Sequence, residues 1–268
     1  MSACAQPLRP AAFDSLAESY DRIFTRSLIG RAQRDAVWRQ LRATFLPGQR
    51  VLELNCGTGV DAMYLAQMGV QVDAFDISAA MIQVASRHLR PEHCPAVRFQ
   101  VLASEDLGRL NSTYDGVFSN FGGLNCVEDL REVAQNQARL VRPLGHALLC
   151  LANHCCFWET GWWLAHGKPG KAFRRLKRNG VTAELMPGSQ VRVWYPSVGK
   201  LKQVFAPEFR LISAHGVGVF VPPSYLEPCA RRLPMLLRVA AGLDARLSSF
   251  PLLRGMGDHV LVKLRRMP

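Results

Sequence analysis

The run Val51-Leu52-Glu53-Leu54-Asn55-Cys56-Gly57-Thr58-Gly59 constrains this chain more than any other, because a short β-rich run there ends in a glycine loop that opens a helix. Glycine has no Cβ to collide with a ligand and adopts positive φ freely, so such a loop lets the backbone approach a bound molecule. Seventeen residues after Gly59, Asp76 closes the run Val72-Asp73-Ala74-Phe75-Asp76. An acid at the tip of a second strand can accept hydrogen bonds from both hydroxyls of a ribose. The two features predict an adenosyl-type ligand across the strand ends. Glu53, just before the loop, would repel a pyrophosphate but favour the ammonium group of a bound amino acid.

The surrounding pattern is that of an α/β domain. β-rich runs near 50–54, 71–76, 97–101, 114–119 and 145–152 alternate with amphipathic helices near 59–68, 79–89 and 129–141. This alternation predicts a mostly parallel sheet with helices on both faces. Helical spacing over 11–24 and 32–46 adds an N-terminal pair. After Ala152 the rhythm breaks into an aromatic and then basic stretch, followed by a hairpin near 181–195. It resumes with a helix at 197–205, a strand near 209–220, a helical stretch near 224–248 and a last strand near 258–264. The expected divisions are an N-terminal helical lid at 1–47, a ligand-binding core at 48–152, an inserted aromatic and basic cap at 153–196, and a C-terminal part at 197–268 that completes the sheet.

Glu53 to Gly59 and Asp76-Ile77-Ser78-Ala79-Ala80-Met81 resemble the first two motifs of the class I S-adenosylmethionine-dependent methyltransferases, and the resemblance extends from about Phe13 to Leu151. It implies a Rossmann-like seven-stranded sheet of order 3-2-1-4-5-7-6 with the last strand antiparallel. It also implies S-adenosylmethionine as cofactor, with Glu53, Asn55, Cys56, Gly57 and Gly59 around its methionine end. Asp76 would hold the ribose, and Ile77 and Met81 would pack on the adenine. Tyr20, beside Asp21, resembles a residue of the family's closing N-terminal helix, and the segment with Asn120, Phe121 and Asn125 resembles the one bordering the transferred methyl. The sequence departs from the family at Asn55, where a glycine is usual, and at Ala103, where an acid usually meets the adenine amine. Asn tolerates left-handed backbone angles, and Ser104 or Glu105 can stand in at the adenine edge.

The remaining expectations concern the acceptor. His154, directly after the fifth strand, is the candidate to orient or deprotonate a nucleophile. Phe157, Trp162 and Trp163 are candidates for an apolar wall facing a small, hydrophobic or anionic acceptor. Charge divides unevenly: residues 1–150 carry 15 arginines and 15 acids, whereas the remaining 18 Lys and Arg face only 6 acids. In a helix from about 171, Lys171, Arg174, Arg175 and Arg178 would share a face, either as a solvated surface or as a contact for an acidic group or an anionic membrane. Nucleic acid is disfavoured because no RNA-binding module accompanies the basic stretch. No metal-ligand spacing and no secretory signal are visible, so a reduced, cytoplasmic protein is the default. Gly57-x-Gly59-x-x-Ala62 also satisfies a dinucleotide fingerprint, which keeps an NAD(P)-dependent oxidoreductase as an alternative. A non-catalytic S-adenosylmethionine-binding protein is the other.

Overall fold

The computed structural model describes residues 11–93, 96–186 and 189–268. The N-terminal segment is a chain of short turns rather than one helix: a 3-10 turn at Asp14–Leu16, α1 at Ala17–Tyr20 and a π-helical turn at Asp21–Thr25. Ser27 then accepts a hydrogen bond from the Gly30 amide and caps α2, Leu28–Arg42. The core alternates β1 (Arg50–Leu54), α3 (Val60–Gln67), β2 (Gln71–Asp76), α4 (Ala79–His88), β3 (Val97–Val101), β4 (Tyr114–Ser119), α5 (Leu130–Leu140) and β5 (Val141–Ala152). The later part holds α6 (Phe157–Ala165), α7 (Pro169–Ala172), the hairpin strands β6 (Val181–Met186) and β7 (Ser189–Val193), and α8 (Val198–Phe205). It closes with β8 (Phe209–Val217), α9 (Glu227–Arg232), α10 (Pro234–Leu247) and β9 (His259–Arg266).

The main sheet has the order β3-β2-β1-β4-β5-β9-β8, with β9 antiparallel to both of its neighbours. With the separate β6–β7 hairpin set aside, this is the expected order 3-2-1-4-5-7-6. Alternation along each strand builds two cores. Leu52, Leu54, Val117 and Leu149 face α5 and α8, whereas Val51, Val72, Phe118 and Leu148 face α2 and α3. Both β1 and β4 are therefore buried on each face, as parallel strands require.

Three further local expectations differ from the structure. β5 begins directly after α5, and the Pro143-Leu144-Gly145 turn is absorbed as an irregularity in which Leu144 takes φ +66. The helical stretch near 224–248 breaks at Leu233, because Pro234 cannot donate to the preceding turn. The basic helix from 171 does not form: α7 ends at Ala172, and Arg174–Leu176 is a 3-10 turn. Arg174 and Arg175 both reach Glu159 of α6, at 2.5 and 2.6 Å. Arg175 also donates to the Asp258 carboxylate at 2.8 Å, and to the backbone oxygens of Asp258 and Asn153. These two arginines are thus internal ties that hold α6 and α7 onto the ends of β5 and β9, not part of a solvated face.

Among the described residues no helix is long and apolar enough to cross a membrane. Arg175→Ala leaves Glu159 and Asp258 buried without their shared cation and is expected to cost about 3–5 kcal/mol in a urea denaturation. A loss below about 1 kcal/mol would show instead that the pairs behave as surface ion pairs.

Candidate functional site

The glycine loop leaves β1 through three left-handed residues, Asn55 (φ +56), Gly57 (φ +54) and Gly59 (φ +76). Asn55 therefore adopts a left-handed backbone angle of the kind that favours glycine. Its side chain is also used: Nδ2 donates to Ser104 Oγ at 3.2 Å, and Oδ1 accepts from Ser119 Oγ at 3.2 Å. It packs so closely on Gly123 that a Cβ there would lie 2.2 Å from Asn55. Asn55 thus joins the carboxyl ends of β1, β3 and β4. Asp76, at the end of β2, braces the same loop by accepting from the Gly57 and Ser78 amides, each at 2.9 Å. Its carboxyl is pushed up by burial, an effect opposed by those two amides. Ser78, not Asp76, caps α4, since its Oγ accepts from the Met81 amide.

Beneath the loop lie two buried carboxylates and one guanidinium. Asp61, in the first turn of α3, accepts from Arg34 Nη1 at 2.5 Å, Trp38 Nε1 at 2.6 Å and Asn120 Nδ2 at 2.8 Å. Glu53 is 1% exposed, and its Oε2 has no hydrogen-bond partner among the described residues. Burial pushes its carboxyl well above the usual range; the Asp61 charge adds to the effect and Arg34 opposes it. The Arg34 guanidinium sits 5.0 Å from the centroid of Phe121, which is packed edge-on against Phe24 and His259. Arg34 and Asp61 were not among the residues expected from the sequence. The available signal was a cation on the buried stripe of α2 between Ile29, Val37 and Leu41, since an arginine there needs a partner.

The N-terminal segment is strapped across the loop. Thr58 Oγ1 donates to Asp21 at 2.7 Å, Ser78 Oγ donates to Asp14 at 2.5 Å, and Arg87 pairs with Glu18. Met81 packs with Ala17, Leu16 and Tyr20 under this strap. Tyr20 faces the loop, and burial pushes its phenol up to about 12. The space enclosed between Tyr20, Arg34, Asn55, Gly57, Asp61 and Phe121 is about 30 Å³, which is room for a water molecule and not for a nucleoside. Cys56 lines the same space, and burial raises its thiol well above its ordinary value. Ser104 is buried at the adjoining edge, whereas Glu105 and Ile77 are exposed.

The structure separates the residues expected on the acceptor side. A cavity of about 820 Å³ opens between the start of α5, the start of α8 and the segment after β7; Leu124, Val127, His154, Trp194 and Tyr195 line it. Phe157, Trp162 and Trp163 do not line it. Phe157 and Trp162 are exposed on α6, where the Trp162 ring lies tilted against His166, and the Trp163 ring carries Lys168 and Lys171. Helical spacing brought these rings together along the chain, but α6 turns them outward while Trp158 packs inward. Asn125 is buried. Its Nδ2 donates to the Ala152 and Trp194 oxygens and its Oδ1 accepts from the Ala152 amide, so both of its donors are committed to the fold. His154 does line the cavity. Its Nδ1 lies 3.2 Å from Asn153 Oδ1, and burial lowers its pKa below 6.5.

Residues 51–145 match the family described as Methyltransferase domain. The segment from β1 into β5 carries a methyltransferase domain. A demethylmenaquinone methyltransferase from Clavibacter sepedonicus is 33% identical over 143 residues, covering 52% of this chain and 56% of that protein. The chain thus spans a little over half the length of this curated relative. A Listeria monocytogenes crystal structure assigned to the S-adenosylmethionine dependent methyltransferases is 18% identical with a TM-score of 0.63, covering 87% of this chain and 98% of that one. The [4+2]-cyclase SpnF shares the fold at 15% identity and a TM-score of 0.62, covering 97% and 98%.

The methyltransferase domain makes a linked pH prediction. Folding raises the Glu53 pKa, so the folded state keeps its proton to higher pH than the unfolded chain does, and this group makes stability fall as pH rises above the ordinary 4.5. Urea midpoints measured across that window should fall less steeply for Glu53→Gln than for the parent. Superimposable profiles would show that the carboxyl is not strained by burial.

Proposed function

We propose that this protein binds S-adenosylmethionine beneath the 14–25 strap and transfers its methyl group to a small apolar acceptor held in the 820 Å³ cavity. The observation that carries the reading is the unpartnered, buried Glu53 Oε2 under a left-handed loop that Asp76 braces. Glu53 suits an ammonium group, and the Asp76 carboxylate retains acceptor capacity for ribose hydroxyls beyond its two amide contacts. Arg34, Cys56, Gly57, Gly59, Asn120 and Phe121 would border the amino-acid end, and Met81, Ser104 and Ile77 the adenine end. The bound cofactor supplies an electrophilic methyl on a sulfonium whose leaving group is a neutral thioether. Admission of a nucleoside requires the strap to open, since the enclosed space holds about one water.

Catalysis on this reading rests on positioning an acceptor atom in line with that methyl. His154 is the candidate base. Asn153 Nδ2 donates to the Arg254 oxygen, which fixes its Oδ1 as an acceptor. His154 Nδ1 therefore carries the hydrogen toward Asn153 and Nε2 is left bare, and the lowered pKa keeps the ring neutral near pH 7. Leu124, Val127, Trp194 and Tyr195 supply apolar and aromatic wall to the cavity, and the rest of its lining carries charges of both signs, Glu128 and Asp129 beside Arg131, Lys177 and Lys200. The demethylmenaquinone named for the Clavibacter relative is an acceptor such walls would suit. A cytoplasmic setting belongs to the same proposal, supported by the buried free thiols of Cys56, Cys150 and Cys156.

The test is incubation of cell extract with the protein and deuteromethyl-labelled S-adenosylmethionine, followed by mass spectrometry. A labelled small molecule that depends on the protein supports transfer, and Asp76→Ala should weaken cofactor binding by about 1.5–3 kcal/mol in calorimetry. Tight cofactor binding without any labelled product would favour a role without methyl transfer, either non-catalytic binding or another reaction, since a fold does not fix the chemistry it hosts.

A further inference from the structure

α10 presents apolar residues on two opposite sides. On one side Leu237, Ala240 and Ala241 pack against Ile29, Val221, Leu226 and Ala230. The buried Asp244 shares that side and accepts from the Phe220 and Val221 amides at 2.8 and 3.2 Å. The other side, where a helix at a protein surface normally carries polar residues, holds Met235, Leu236 and Val239, each more than half exposed, with Leu233 and Leu243 at its ends. The apolar surface continues past both ends of the helix. Leu252 is 80% exposed and Phe250 is exposed beyond the C-terminus, and before α9 the exposed Tyr225 lies 6.0 Å from the ring of Trp162 on α6.

Charge on this face has one sign. Between residues 224 and 254 the only acids are Glu227 and Asp244. Glu227 accepts from the Leu28 and Ile29 amides at 2.9 and 3.1 Å, and Asp244 is buried, so neither is presented outward alone. Arg232, Arg238 and Arg246 are exposed beside the apolar ridge, and Arg231, also exposed, pairs with Glu227 at 3.0 Å.

We propose that this face docks on an anionic lipid bilayer, with α10 lying in the plane of the interface. A ridge of Met, Leu and Val bordered by arginines and edged by Trp162, Tyr225 and Phe250 has the make-up of an interfacial helix. The charge pattern selects the occupant. A second copy of the chain on this face would set its arginines against identical arginines with no facing carboxylate, whereas a negative leaflet favours each of them by about fivefold. The helix is too short to span a bilayer, at roughly 21 Å for 14 residues, so contact is peripheral. Of the basic cap expected for this role, Arg174 and Arg175 are engaged by Glu159 and Asp258, while Lys171 and Arg178 remain exposed.

The experiment is co-sedimentation of the full chain with vesicles of phosphatidylcholine alone or mixed with phosphatidylglycerol, at low and high salt. The parent should bind the mixed vesicles more tightly, and added salt should weaken that binding. Leu236→Ser with Val239→Ser, and separately Arg238→Glu with Arg246→Glu, should each lower the partition coefficient about tenfold or more, with Tm unchanged because these side chains face outward. Equal binding to neutral and anionic vesicles would overturn the proposal. So would a parent that ignores both vesicles but forms a dimer that the Leu236 and Val239 substitutions dissociate. If one double variant fails to fold, the other variant and the lipid comparison on the parent still decide the question.

Discussion

The site depends on an imbalance of buried charge. Two carboxylates, Glu53 and Asp61, lie under the glycine loop with a single guanidinium, Arg34, and Asp61 takes it. Desolvating one carboxylate without a partner is costly enough that the group keeps its proton instead, which is the direction in which Glu53 is displaced. A ligand that brings an ammonium group to Glu53 relieves this cost, and a ligand that brings a pyrophosphate to the same loop increases it. The choice between an amino-acid nucleoside and a dinucleotide therefore follows from one unpaired oxygen atom. The glycine loop alone is common to both.

The structure around that oxygen is built to hold it in place. Arg34 arrives on α2, Asp61 on α3 and Asn120 just past β4, and these parts meet only because the parallel sheet brings the carboxyl ends of β1 and β4 side by side. The strap at 14–25 then closes the pocket through Asp14, Asp21 and Tyr20. A second buried ionic cluster, Glu159 with Arg174, Arg175 and Asp258, adjoins the first through His259, which packs on Phe121, and fixes α6 and α7 to β5 and β9. Both clusters use arginine, whose planar fork can reach several acceptors at once.

The sheet was legible in the sequence because parallel strands buried on both faces read as apolar runs, and the loop was legible because its residue types match its backbone angles. Asn55 shows this well, since its tolerance of left-handed φ is visible in the residue type itself. Its ties to Ser104 and Ser119 were not, because those partners come from other strands. Arg175 was read as one of four cations on a helical face, since nothing local reveals that Asp258, 83 residues away, receives it. Phe157, Trp162 and Trp163 were placed on the acceptor for a related reason: proximity to the fifth strand is a statement about the chain, and only packing decides which side of α6 turns inward.

The central claim is that Glu53 and Asp76 fit the pocket to an amino-acid nucleoside, and its most direct test is a thermal melt with S-adenosylhomocysteine, NAD or NADP added separately. S-adenosylhomocysteine at a hundred times its Kd should stabilise the protein by about 2.7 kcal/mol and raise Tm accordingly, while NAD and NADP leave Tm unchanged. Stabilisation by a dinucleotide, with none from S-adenosylhomocysteine, would contradict the account.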